Sequence, residues 1–193
     1  MFFVPLGNDL TVIKPPPDGC QPRKFLLIVL LRDKPGCMIK EDLIKVTDFL
    51  PLVVSSTAFI HGKPIPKKYT CEGEDILPAL DVAGIPTEAK SLALIIDDPD
   101  APGKTWVHYV AWNLPLDTHV TANNLICTEG LNDFNKHSYG GPCPPSGTHR
   151  YFFKIYALDT LLSLREDSRK GELEKAMATH ILAFGELMGT YRR

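Results

Sequence analysis

Proline and glycine interrupt this chain so often that most of it cannot form long helices. The sequence holds 17 prolines and 14 glycines in 193 residues. Each proline fixes φ and removes a backbone donor, so apolar segments between them must be short. Several of those segments have a period of two. In "WVHYVAWN" (106–113), alternation puts Trp106, His108, Val110 and Trp112 on one face and Val107, Tyr109, Ala111 and Asn113 on the other. "HRYFFKIYAL" (149–158) sets His149, Tyr151, Phe153 and Ile155 against Arg150, Phe152, Lys154 and Tyr156. "KSLALIID" (90–97) reads as a buried strand. The closing "GELEKAMATHILAFGELMGTYRR" differs. Residues 173, 176, 177, 180, 181, 184, 187, 188 and 191 form a stripe at helical spacing, which predicts a helix ended by Gly189 with His180 on its apolar face. The expected assembly is a mainly β domain closed by a C-terminal α-helix.

Residues 1–54 have a different character and are read as an N-terminal extension before a domain over 55–193. "KPPPDGCQP" is a stiff linker. "FLLIVLL" (25–31) is too short to span a bilayer, which takes about 20 residues, and its flanks do not suit a secretion signal. It reads as a buried strand. "MIKEDLIKVTDFL" reads as a short helix with Leu43, Val46 and Leu50 on one face. Met38 is a plausible alternative start, and the first 37 residues are expected to be dispensable.

A chain of this length buries roughly 70% of its unfolded surface and needs neither disulfides nor metal to fold. The net charge of −2 argues against a general nucleic-acid binder. Cys20, Cys37, Cys71, Cys127 and Cys143 form no CxxC pair. Free thiols in a reducing compartment, the cytoplasm, are expected.

The stretch "DDPDAPGKTWVHYVAWN" (97–113) poses the sharpest question. Asp97, Asp98 and Asp100 crowd the end of a strand, and like charges that close call for cations nearby. Pro99 and Pro102 set the backbone there. His108 and His149 lie on strands whose ends can meet the turn. An aspartate that holds an imidazole orients it and favours its charged form, which presents an N–H to an anion. The loop "YGGPCPPSGTHRY" (139–151) adds Gly140, Gly141 and Gly147, whose amides can approach an oxyanion, and X-Pro bonds that can adopt the cis form. Other chemistries fit the same residues less well. Asp98, His108 and His149 lack the compact spacing of a metal site. Cys143 and His149 are a weak nucleophile–base pair, since no helix N-terminus lowers the thiol. "GKT" (103–105) lacks the glycine of a nucleotide loop, since Asp98 stands in its place. His180 reads as a satisfied core histidine, and Arg150 as one half of an ion pair with Asp97 or Asp100.

The motifs "SSTAFIHGKPIPKKYTCEGED", "SLALIIDDPDAP", "WVHYVAWNLP", "NDF", "YGGPCPPSGTHRYFFKIYALD" and "HILAFGELMGTYRR", in this order, resemble the phosphatidylethanolamine-binding protein family in its bacterial and archaeal Raf-kinase-inhibitor-like branch. The resemblance covers residues 55–193. It implies a β-sandwich of two antiparallel sheets with a C-terminal helix, and an anion pocket at one end. By motif the pocket is formed by Asp98, His108, His149 and Tyr151, with Gly141, Pro142, Cys143 and Pro144 as its loop. The implied ligand is a phosphorylated small molecule, lipid head group or phosphoprotein, and the implied partner is a kinase or protease. No cofactor, metal, catalytic reaction, nucleic acid or transmembrane segment is implied. Ile76, Leu77 and Val82 depart from the usual pattern of the branch.

Overall fold

The computed structural model describes residues 49–117, 119–121 and 126–193. The linker and the strand expected over 25–31 lie outside the described residues, as does all but the end of the helix expected over 38–50. Leu50, placed on that helix's apolar face, instead opens a strand and is exposed.

The strands run in the order β1 (Leu50–Pro51), β2 (Val53–Ser55), β3 (Leu80–Ala83), β4 (Ser91–Asp98), β5 (Trp106–Leu114), β6 (His119–Val120), β7 (Thr128–Glu129) and β8 (Thr148–Leu158). Helix α1 (Lys170–Met177) and β9 (Ile181–Arg192) follow. A six-stranded sheet has the order β1-β9-β8-β4-β5-β7, and a three-stranded sheet has the order β2-β3-β6. All pairs are antiparallel except β1 on β9, which is parallel. The described residues are thus mainly β, with two sheets and one α-helix near the C-terminal end, as expected.

The large sheet is apolar on both faces. On one, Leu92, Leu94, Ile96, Tyr109, Phe153 and Ile155 share a core with Val54, Leu80, Val82 and Val120 of the small sheet. On the other, Ala93, Ile95, Val110 and Trp112 pack with Leu173 and Met177 of α1. All eight positions of β4 are therefore buried. Two-sided burial is why "SLALII" is a continuous apolar run rather than an alternating one.

The C-terminal element is the main correction. The helix expected over 171–193 stops at Met177, and Ile181–Arg192 is a twelve-residue strand. Its apolar residues fit both periods, and burial selects the period of two: Ala183, Gly185, Leu187, Gly189 and Tyr191 face inward. A Cβ at Gly185 would lie 2.4 Å from the Leu52 carbonyl, and one at Gly189 2.5 Å from Ile65. These glycines let β9 sit close under its neighbours, whereas in a helix each would cost about 1 kcal/mol. Gly189 is thus no helix cap. His180 is no core residue either: it is about 41% exposed by side chain and bonds Asp159 at 2.8 Å. Every described peptide bond is trans, against the expectation of cis prolines in the 139–151 loop. Among the described residues no helix is long and apolar enough to cross a membrane.

Helix α1 is tied to the sheet by charge as well as by packing. Asp97 is 1% exposed. Lys154 of β8 donates to both its oxygens at 2.8 and 2.9 Å, and Lys170, the first residue of α1, donates at 2.5 Å. Stripping both cations leaves a buried charge unpaired, which is far costlier than never having built the pair. Lys154→Met and Lys170→Met together are expected to destabilise the protein by about 3–5 kcal/mol, much more than either alone. Guanidinium unfolding of the two single variants and the double variant checks this.

Candidate functional site

Each carboxylate of the acidic turn has its own cation. Alternation along β4 sends Asp97 to the α1 side and Asp98 to the opposite face. There Asp98, 3% exposed, accepts the Nδ1–H of His149 at 2.7 Å. Its other oxygen accepts the Asp100 amide at 2.8 Å and closes the turn on itself. Asp100 takes a bidentate fork from Arg150, at 2.9 Å from Nε and 2.7 Å from Nη2, and also the Arg150 amide at 2.9 Å. Of the two partners expected for Arg150, the structure selects Asp100. The Arg150 guanidinium holds the Asp100 carboxyl down at about 2, against an ordinary value of 3.8.

His108 reaches the same place by a break in the pleat. Simple alternation groups it with Val110 and Trp112. The register with β4 runs Ile96 to Tyr109 and then Asp97 to Val107, so His108 is an extra residue without a partner. A bulge of this kind re-aims a side chain. It turns His108 away from the layer under α1 that holds Val107, Val110 and Trp112, and its ring centre lies 5.2 Å from that of Tyr151, edge to face. Tyr151 projects from the same face of β8 as His149, two residues before it. The bulge thus gathers Asp98, His108, His149 and Tyr151.

The loop from 139 to 144 closes around His108. Nδ1 of His108 donates to the Gly140 carbonyl at 2.6 Å, and the Gly140 amide returns a bond to the His108 carbonyl at 3.1 Å. The Phe134 ring packs edge-on at 5.4 Å. Burial holds the His108 imidazole below its ordinary value of 6.5, outweighing the bond to Gly140 and the charges of Asp98 and Asp97. Burial, then the Asp98 charge, raises the Tyr151 phenol. The Tyr151 hydroxyl is buried without a hydrogen-bond partner, beside Asp98 and the Cys143 amide.

Two amides expected to face a ligand are already committed. Gly140 donates to His108, and Gly141 donates to Asp75 at 2.6 Å. Gly141 is glycine for a different reason: a Cβ there would lie 2.5 Å from the Tyr69 carbonyl. The loop is pressed against residues 69–75, and the Cys71 amide donates to the Pro142 carbonyl at 3.2 Å. Pro142 and Pro144 are buried in the same rim.

The expectation of free thiols fails here. Cys71 and Cys143 form a disulfide across 72 residues, with Cα atoms 5.5 Å apart. The two loops it joins are far apart in sequence, so spacing alone gave no sign of it. Cys127 is the free cysteine among the described residues. A bonded Cys143 is no nucleophile, which removes the thiol reading. Among the described residues no group of three or more His, Cys, Asp or Glu side chains is placed to hold a metal.

Sequence reasoning missed Asn132 and Asp75. Asn132, 1% exposed, donates to the carbonyls of His108 and Ser138 and accepts the Phe134 and Lys136 amides, so it fixes both the bulge and its cover. The "NDF" motif was its only signal. A separate cleft of about 280 Å³, lined by Val53, Ser55, Asp81, Val82 and Ala83, shares no residue with this cluster.

A family model described as phosphatidylethanolamine-binding protein matches residues 55–192. A UPF0098 protein of Methanothermobacter thermautotrophicus is 49% identical over 144 residues, covering 70% of this chain and 95% of the relative. One from Pyrococcus abyssi is 46% identical over 153 residues, covering 74% and 86%. Among solved structures, one described as a phosphatidylethanolamine-binding protein homolog from Chlamydia trachomatis superposes with a TM-score of 0.71 at 42% identity, covering 74% of this chain and 98% of that one. E. coli YbcL superposes at 0.68 and 28% identity, with the same coverage.

Two outcomes follow from this geometry. Asp100 titrates lower in the folded chain than in the unfolded one, so its pair with Arg150 stabilises above pH 3.8 and loses that contribution as pH falls towards about 2. Arg150→Met is expected to unfold at a higher pH in an acid titration followed by circular dichroism. Cys71→Ser with Cys143→Ser is expected to lower stability by about 2–4 kcal/mol. The difference should vanish when both proteins are unfolded in excess dithiothreitol.

Proposed function

This chain belongs to the phosphatidylethanolamine-binding protein family, and on that premise we propose that it is a non-enzymatic binding module for a phosphate-like group. Asp98 orients His149, and His149, His108 and Tyr151 receive the oxyanion. Gly141, Pro142, Cys143 and Pro144 form the rim. The group is carried by a phosphorylated small molecule, a lipid head group or a phosphoprotein. The observation that carries this reading is the Tyr151 hydroxyl, a buried donor without a partner beside an ion-paired histidine. Buried polar groups are nearly always bonded, so an exception of this kind needs an account, and a bound oxyanion beside His149 supplies one.

Magnitude limits the role. Two or three hydrogen bonds to a charged group, each worth about 1.5–3 kcal/mol, give roughly millimolar to micromolar affinity before entropic costs. Free phosphate therefore binds weakly, and useful affinity draws on the surface around the pocket. That suits a regulator that anchors a kinase or protease partner through an acidic group. The cytoplasm remains part of the proposal. The disulfide bears on it, because reducing compartments disfavour such bonds.

A hydrolase built on the same His and Asp side chains is the competing reading. A turnover of ester or phosphate substrates that Asp98→Asn abolishes would establish it. For the binding module, phosphate or phosphoethanolamine titrated into the protein is expected to shift the ring signals of His108 and His149 in NMR spectra. If those signals hold still up to about tens of millimolar while others move, the site lies elsewhere.

A further inference from the structure

The bonds that hold the two imidazoles also decide which of their nitrogens carries hydrogen. A carbonyl oxygen only accepts, so the 2.6 Å contact from His108 Nδ1 to the Gly140 carbonyl requires the proton on Nδ1. The neutral ring then has a bare lone pair on Nε2, the nitrogen left for any other partner. His149 is arranged in the same way, with Nδ1–H on the Asp98 carboxylate. An oxyanion cannot bond to a lone pair. Either the ring gains a second proton or the ligand brings one.

For His108 the surroundings resist the second proton. The ring is 3% exposed. From β4 it faces Asp98 and, through the sheet, Asp97, whose charge is met by Lys154 and Lys170. From β8 it faces the Tyr151 ring, and from the loops the Gly140 carbonyl, the Gly141 backbone and the Phe134 ring. Burial outweighs the two carboxylates, and His108 titrates below the ordinary imidazole value. Near neutral pH it is therefore an acceptor. Tyr151, with its orphan O–H, is a donor. His149 faces Asp98, and Asp100 lies close enough to interact with it. The site thus offers an acceptor and a donor side by side.

We propose that the site selects oxyanions that carry a proton of their own, hydrogen phosphate and the monoanion of a phosphate monoester, over sulfate and phosphodiesters. The ligand's P–OH donates to Nε2 of His108, and another of its oxygens accepts from Tyr151. Sulfate has no such hydrogen at neutral pH, and a phosphodiester has lost it to the second ester bond. This rests on the phosphate-binding reading above and narrows it: a head group is bound as the free monoester, not while its phosphate bridges to a diacylglycerol.

The test uses the full-length, unmodified protein and needs no variant. Inorganic phosphate, sulfate, phosphoethanolamine and glycerophosphoethanolamine are titrated from neutral pH down to about pH 6, where roughly half of a monoester keeps its second proton, by calorimetry and by nitrogen-15 NMR of the histidine rings. Near neutral pH phosphate is expected to bind at least about tenfold more tightly than sulfate, the cost of one unmade bond to a charged group, and at about pH 6 phosphoethanolamine is expected to bind several-fold more tightly than its diester. Sulfate binding is expected to strengthen as pH falls and His108 charges. Equal affinity for phosphate and sulfate near neutral pH, or for monoester and diester at about pH 6, overturns the inference and leaves the phosphate-binding reading intact. Binding of none of the four overturns both. A free-state nitrogen-15 spectrum with both His108 nitrogens protonated near neutral pH overturns the inference by itself.

Discussion

Three carboxylates at one strand end cannot share a neighbourhood, and the sheet solves this by geometry. Period two sends Asp97 and Asp98 to opposite faces, so adjacent residues never compete for a cation. Asp97 takes Lys154 and Lys170 and becomes the tie between α1 and the sheet. Asp98 takes His149 and becomes the floor of the candidate site. Asp100, one turn further, takes Arg150 at the surface. The same crowding that would repel in an isolated peptide thus fixes β4, β8 and α1 relative to one another, and the chemistry on the Asp98 face inherits that rigidity.

Rigidity is what gives a small polar site any affinity. His108 is held by the Gly140 carbonyl, by Asn132 through its own backbone, and by Phe134 and Tyr151 on its ring. The rim is held by Asp75, by the Pro142 carbonyl and by the disulfide. Few of these groups have freedom left to lose when a ligand arrives, so little of the gain from two or three bonds is spent on ordering.

The strands that carry the site were legible because their patterns admit one reading. "HRYFFKIYAL" alternates strictly, and His149, Tyr151, Phe153 and Ile155 all face inward. β9 was not legible, because its apolar positions satisfy a helical and a strand period equally, and the contacts of Gly185 and Gly189 that decide the matter are tertiary. His108 was picked for its chemistry, but alternation placed it on the wrong face. A bulge depends on pairing with a neighbouring strand, which no local pattern encodes. The same holds for Asn132, whose importance lies in four bonds to residues around a turn, and for the disulfide, whose cysteines sit 72 residues apart.

An orphan donor does not by itself make a site. Trp112 also has an unpartnered indole N–H, and it lies within the apolar layer under α1. Tyr151 differs in its company. Its hydroxyl has the Asp98 charge and the Cys143 amide beside it, and its ring meets the edge of an imidazole. Asp98 is the nearest acceptor for that O–H, since its oxygens keep lone pairs after bonding His149 and the Asp100 amide, but the pair falls short of hydrogen-bond geometry. An oxyanion docked against the histidines, as proposed above, would give that O–H a better-placed acceptor.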